Sequence, residues 1–172
     1  ILILYSSVDG HTLKICRRIA ARLEQAKTRV TIIQVDEVES AALSDADKIV
    51  IGASVRYGRH RPAVHRLVEA NRGALTARPT AFFSVNLSAR KPDKNSLTTN
   101  PYLGKFLSSV DWQPDLAEVF AGVIDYPSYR WSDRLFIRFI MWMTKGPTGP
   151  SAQIEYTDWN QVDRFADRCL AL

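Results

Sequence analysis

Two hydrophobic patterns alternate along the chain. Short runs that are apolar throughout give way to stretches in which apolar residues recur every three or four positions. Residues 1–5 (Ile-Leu-Ile-Leu-Tyr) form the first run and predict a strand buried on both faces. Over 11–26, Leu13, Ile15, Cys16, Ile19, Ala20 and Leu23 fall on one side of a helix. Further strands are predicted over 29–35, 47–54, 79–85 and 116–124, and further helices over 62–75, 100–110 and 158–170. Pro62 suits the first position of its helix, and Thr157 or Asp158 caps the last one. Buried strands alternating with amphipathic helices specify an α/β fold, a parallel sheet covered on both faces. Five strands at this spacing suit the doubly wound order 2-1-3-4-5, in one domain covering residues 1–172. Two connections, 84–99 and 125–156, are too long for plain turns and are expected to serve function.

In such sheets ligands bind beyond the carboxyl ends of the strands, where the strand order reverses. Three loops are expected there, each opening on a serine. The first is Ser6-Ser7-Val8-Asp9-Gly10-His11-Thr12. Its hydroxyls, its glycine and the following helix N-terminus suit a phosphate, although Ser, Thr and Asp also serve as ordinary helix caps. The second is Ser54-Val55-Arg56-Tyr57-Gly58-Arg59, and the third is Ser84-Val85-Asn86-Leu87-Ser88-Ala89-Arg90. Together they suit a flat, phosphorylated heteroaromatic ligand, with backbone groups on its edge and Tyr57 against its face.

This combination resembles the flavodoxin superfamily, and within it the menaquinone-dependent protoporphyrinogen IX dehydrogenases. The resemblance covers nearly the whole chain. It rests on Val50-Ile51-Gly52-Ala53-Ser54-Val55-Arg56-Tyr57-Gly58, Phe83-Ser84-Val85-Asn86-Leu87-Ser88-Ala89-Arg90-Lys91-Pro92, Tyr126-Pro127-Ser128-Tyr129-Arg130-Trp131 and Tyr156-Thr157-Asp158-Trp159. It implies a flavodoxin-like fold with a long insertion at about 125–156 before the last helix. It also implies FMN as cofactor, oxidation of protoporphyrinogen IX to protoporphyrin IX, and a quinone, menaquinone or ubiquinone, as acceptor. Carried over by position, Ser6, Ser7, Asp9, Gly10, His11 and Thr12 would cradle the phosphate. Ser54, Arg56, Tyr57 and Gly58, with Ser84, Val85, Asn86, Leu87, Ser88 and Ala89, would border the flavin. The first loop departs from the Thr-Gly-Asn-Thr common in carrier flavodoxins by having Asp9-Gly10-His11-Thr12.

Charge adds to this picture. The chain has 23 Lys and Arg against 18 Asp and Glu, a net +5, where carrier flavodoxins are acidic. Arg56, Arg59, Arg90 and Lys91 are expected to meet the propionates of the substrate. A cation about 6 Å from the flavin, at an effective dielectric of about 20, would stabilise its anionic reduced form by roughly 2–3 kcal/mol. Nine of the thirteen residues over 131–143 are apolar or aromatic, and Arg130, Arg134 and Arg138 recur every four. The stretch suits an interfacial helix, with Arg130, Trp131, Arg134, Phe136, Arg138, Phe139 and Trp142 as candidate membrane contacts. A core-packed helix or a subunit contact would carry the same pattern.

Other features restrict the alternatives. Two cysteines without CxxC spacing predict reduced thiols rather than a disulfide or zinc site. No metal site, nucleic-acid module, dinucleotide fingerprint or P-loop is expected. Cys16 and Arg22 have the spacing of a phosphatase loop, but inside a helix and without glycine. The first residues lack the charged region of a secretory signal, and no apolar run spans a bilayer. The expected location is therefore cytoplasmic, peripheral on the inner face of the cell membrane. Two alternatives remain: a general FMN quinone reductase or electron-transfer flavoprotein, and a membrane-interface protein that has lost its flavin.

Overall fold

The computed structural model describes residues 1–129, 131–143 and 146–172. The elements run β1 (Leu2–Ser6), α1 (His11–Gln25), β2 (Thr31–Gln34), α2 (Ser40–Asp45), β3 (Ile49–Arg56), β4 (Arg59–His60), α3 (Pro62–Ala70), α4 (Arg72–Thr76) and β5 (Thr80–Asn86). They continue with α5 (Leu103–Val110), β6 (Leu116–Ala121), β7 (Val123–Asp125), α6 (Trp131–Met143), β8 (Gln153–Glu155) and α7 (Trp159–Ala171). The parallel strands lie in the order β2-β1-β3-β5-β6. Counting those five alone, this is the expected 2-1-3-4-5.

The all-apolar strands divide their side chains between two layers, because successive residues point to opposite faces. Leu2, Leu4, Ile49, Ile51 and Phe82 join a core under α3 and α5. Ile3, Val50, Ala81 and Phe83 join another under α1 and α7. Gly52 is required where these strands press together. A Cβ there would lie 2.1 Å from Cζ of Phe83, its register partner on β5.

Three boundaries differ from expectation. The helix predicted over 62–75 breaks at Asn71, whose side-chain amide donates to the carbonyl of Leu67. The strand predicted over 116–124 ends at Ala121. Beyond Gly122 the chain leaves the sheet, and β7 pairs antiparallel with β8. The Gly122 carbonyl accepts from the Tyr156 amide, which closes the base of the insertion. The insertion has its own small core of Ile124, Tyr126, Tyr129 and Met141. The third difference is β4, which folds back on the end of β3. Tyr57 (φ 52) and Gly58 (φ 76) form its two-residue turn, both left-handed as a tight hairpin of this type demands. Among the described residues, no helix is long and apolar enough to cross a membrane.

Candidate functional site

A cleft opens beyond the carboxyl ends of β1, β3 and β5, which are adjacent strands. The first loop contributes Ser7, Asp9, His11 and Thr12, the second Ser54, Arg56, Tyr57 and Gly58, and the third Val85, Asn86, Leu87, Ser88, Arg90 and Lys91. The three loops that the sequence brings forward therefore meet in one place. The far wall is α6, which presents Asp133, Phe136, Ile137, Ile140 and Met141.

The first loop is shaped for an anion. Gly10 (φ 80) turns the chain into α1, and nothing lies within 4 Å of where its side chain would be. The leading N–H groups of the helix lack intrahelical partners. Thr12 is buried, and its Oγ1 has no hydrogen-bond partner among the described residues. His11 Nε2 lies 2.7 Å from Thr157 Oγ1, while that hydroxyl donates to the Ala121 carbonyl at 2.7 Å. The hydroxyl has one proton, so His11 Nε2 is the donor between them. Burial lowers the pKa of His11.

The third loop is held by Asn86. Its Oδ1 accepts from the Ala89 amide at 3.1 Å and from Asn100 Nδ2 at 3.2 Å. Tyr102, just ahead of α5, accepts at its OH from Ser88 Oγ at 3.3 Å on the rim of the cleft.

Five expected site residues stand back from the cleft. Ser6 and Ser84 share the period of Leu4 and Phe82, so their side chains turn to the α3–α5 side. Ser6 Oγ accepts from Arg61, and Ser84 Oγ lies 3.0 Å from His60 Nε2. Ala89 packs in the core, and Gly10 acts through its backbone. Arg59 is exposed on β4 and does not line the cleft.

Arg56 is also placed differently from expectation. It is no free cation. Its Nη1 donates to both oxygens of Asp9, at 2.9 and 3.2 Å, and its Nη2 donates to Asp133 Oδ2. Tyr57 OH donates to Asp133 Oδ1. Burial raises the pKa of Asp9, against the opposing pull of Arg56. Two carboxylates on one guanidinium cancel the field that a lone Arg56 would exert on a ring in the cleft. Among the described residues, the other positive charge comes from Arg90, Lys91 and Lys94 on the third-loop side.

Sequence reading missed Asp133. It also missed Tyr102, Tyr129 and the inner face of α6. The signal was present: Asp133, Phe136, Ile137, Ile140 and Met141 follow helical spacing, on a stripe distinct from the arginines. Of the candidate membrane contacts, Trp131, Phe139 and Trp142 are 77%, 55% and 70% exposed. Phe136 turns to the cleft edge-on to Tyr57, with ring centroids 5.1 Å apart. Arg134 is committed to the preceding turn, its Nε donating to the Tyr126 carbonyl at 3.0 Å. Arg138 is half-buried on the same side. Arg130 lies outside the described residues.

A flavodoxin-domain family model matches residues 2–151. A protoporphyrinogen IX dehydrogenase (quinone) of Leishmania major is 46% identical over 172 residues, covering 99% of this chain and 74% of that protein. The protein of that name from Escherichia coli K12 is 42% identical over 165 residues, covering 96% of this chain and 91% of its own length. The chain belongs to the flavodoxin family, in its protoporphyrinogen IX dehydrogenase (quinone) branch. Among solved structures, general stress protein 14 of Treponema denticola in complex with FMN has a similar fold (TM-score 0.52, 11% identity, covering 99% of this chain and 95% of that one). In this chain the family match runs through α6.

Proposed function

We propose that this protein oxidises protoporphyrinogen IX to protoporphyrin IX, with FMN as cofactor and a membrane quinone as the final electron acceptor. The observation that carries the reading is the identity of 42–46% to two proteins of that name over nearly the whole chain. The cleft supports the cofactor independently. A buried, unpartnered hydroxyl at Thr12 beside a helix N-terminus fits a phosphate group.

In this reading Ser7, Thr12 and the N–H groups that follow Gly10 hold the phosphate. Asp9 acts from the same loop by orienting Arg56, and His11 by tying the loop to Thr157. Ser54, Tyr57 and Gly58 border one edge of the ring system, and residues 85–88 border the other. FMN, when bound, supplies the two-electron acceptor for the porphyrinogen. Arg90 and Lys91, with Lys94, lie where they can attract the propionates of the substrate. The inner face of α6 excludes water from the cleft with Phe136, Ile137, Ile140 and Met141.

The outer face of α6 supports a peripheral position on the cytoplasmic face of the membrane. Trp131, Leu135, Phe139, Trp142 and Met143 are all exposed, an apolar patch that a lipid surface would cover. The quinone and the amphiphilic substrate both reside at such a surface.

The test is an anaerobic assay of FMN-reconstituted protein with protoporphyrinogen IX, following porphyrin fluorescence. Menaquinone and ubiquinone analogues are run in parallel, with a flavin-free control. Fluorescence that requires both FMN and a quinone is expected, and the faster analogue identifies the acceptor class. Bound FMN without porphyrin formation would overturn the reading. Reduction of that flavin by NAD(P)H would then favour a general quinone reductase.

A further inference from the structure

Removing hydrogen from a porphyrinogen takes more than a hydride acceptor. Each two-electron oxidation also releases a proton, in two of the three rounds from a pyrrole nitrogen, and a buried site must provide somewhere for it to go. The described cleft residues best suited to accept it are Asp9, His11 and Asp133. Asp9 and His11 belong to the first loop, which faces the phosphate in the reading above. Asp133 enters from the opposite wall, in the first turn of α6, and is 6% exposed.

Its surroundings suit a base. Tyr57 OH donates to one of its oxygens and Arg56 Nη2 to the other, so Asp133 acts as an acceptor on both. Along the same face of α6, Phe136, Ile137 and Ile140 offer an apolar wall for a large flat substrate. Among the described residues, the charged and titratable groups around it include Arg56 and Tyr57 from the end of β3, Asp9 behind Arg56, Tyr129 ahead of α6, and Arg90, Lys91 and Lys94 across the cleft.

We propose that Asp133 is the catalytic base that takes the pyrrole N–H proton from the substrate. The inference rests on the porphyrinogen-oxidising function above. In each round one meso C–H bond breaks and its hydrogen leaves with both electrons for FMN. In two of the rounds a pyrrole N–H bond breaks, its electron pair stays in the ring as new conjugation, and its proton passes to the Asp133 carboxylate; in the remaining round the proton comes from the fourth meso carbon, so that four meso and two N–H hydrogens are lost in all. Quinone reduction consumes that hydride and one proton. Three rounds convert one porphyrinogen and three quinones into one porphyrin and three quinols.

The experiment compares wild type with Asp133→Asn and Asp133→Ala as FMN-loaded proteins. FMN affinity is read by flavin fluorescence quenching in each protein, so that kcat is compared at full FMN occupancy. In Asp133→Asn, kcat is expected to fall by roughly 10²- to 10⁴-fold, and the acid limb of the kcat profile to disappear. Added formate should partly restore Asp133→Ala. On anaerobic mixing with porphyrinogen and no quinone, wild type should develop the infrared carbonyl band of a carboxylic acid, and Asp133→Asn should not. Full turnover in Asp133→Asn overturns the proposal. So does a slowed variant that keeps the acid limb and the infrared band, since Asp133 would then only position Arg56 and Tyr57. If the wild-type holoenzyme makes no porphyrin with either quinone, the functional reading fails first and the assignment falls with it.

Discussion

Thr12 and Trp112 carry the two buried side-chain polar atoms without partners among the described residues. An unmade buried hydrogen bond is costly, and a hydrogen bond to a charged group contributes about 1.5–3 kcal/mol. Thr12→Val keeps the shape and removes the hydroxyl. It is expected to weaken FMN binding by roughly tenfold to a hundredfold in a fluorescence titration, with little change in melting temperature. Unaltered affinity would place the phosphate elsewhere. His60 makes a different prediction. It is packed between Phe82 and Phe106 beside Ser84, and burial pushes its pKa down to about 4. The unfolded chain, near 6.5, then binds the proton that the folded one refuses. Stability is therefore complete above about pH 6.5 and declines as the pH falls toward 4, by up to about 3 kcal/mol. Urea midpoints at pH 7 and pH 4.5 should show the loss, and His60→Gln should flatten it. In the sequence His60 lies between Arg59 and Arg61, after the second loop. Its burial follows from β4 folding back, which local patterning did not reveal.

At the scale of elements, β3 and β5 depend on a close approach at Gly52. Gly52→Ala puts a methyl group into the Phe83 ring. Overpacking of this kind costs about 1–3 kcal/mol or more. A lowered denaturation midpoint is expected, and an unchanged one would mean that the Phe83 ring can move aside. Helix α6 is the element with two separate tasks. Its inner stripe walls the cleft, and its outer stripe leaves large apolar side chains uncovered. Replacing Trp131, Phe139 and Trp142 by Ala should sharply reduce sedimentation with anionic lipid vesicles while FMN affinity holds. Retained vesicle binding would assign that face to a subunit contact instead. The amphipathic pattern of α6 was legible in the sequence. Which stripe faced inward was not, because both stripes mix charge with apolar bulk, and only contact with Arg56 and Tyr57 distinguishes them.

On the scale of the whole molecule, charge and shape act together. The chain carries a net +5, yet exposed ion pairs such as Arg18–Asp163 and Arg22–Asp167 between α1 and α7 neutralise much of its α1–α7 face. Among the described residues, four cations, Arg56, Arg90, Lys91 and Lys94, and two carboxylates, Asp9 and Asp133, line the cleft. That excess favours anionic ligands and surfaces. Vesicle association is expected to weaken as ionic strength rises from about 0.01 to 0.15 M, as the Debye length shrinks from about 30 to 8 Å. Salt-independent association would mean that the apolar face of α6 acts alone.

The local code of this chain determined its sheet. Strands apolar throughout must be covered on both sides, and the helices between them carry matching stripes, so a doubly wound order follows from burial alone. It also determined that the loops after residues 6, 54 and 84 share one edge, because strand order places their ends side by side. What it left open were the relations between residues far apart in sequence. Asp133 lies 77 positions from Arg56 and 76 from Tyr57, and its meeting with them depends on the chain leaving the sheet at Gly122 and returning through β8. Likewise, Arg56 reads as a free cation until Asp9 and Asp133 are folded against it. Periodicity reports which side of an element is buried. Only the tertiary structure decides what that side is buried against, and here that decides the charge of the site.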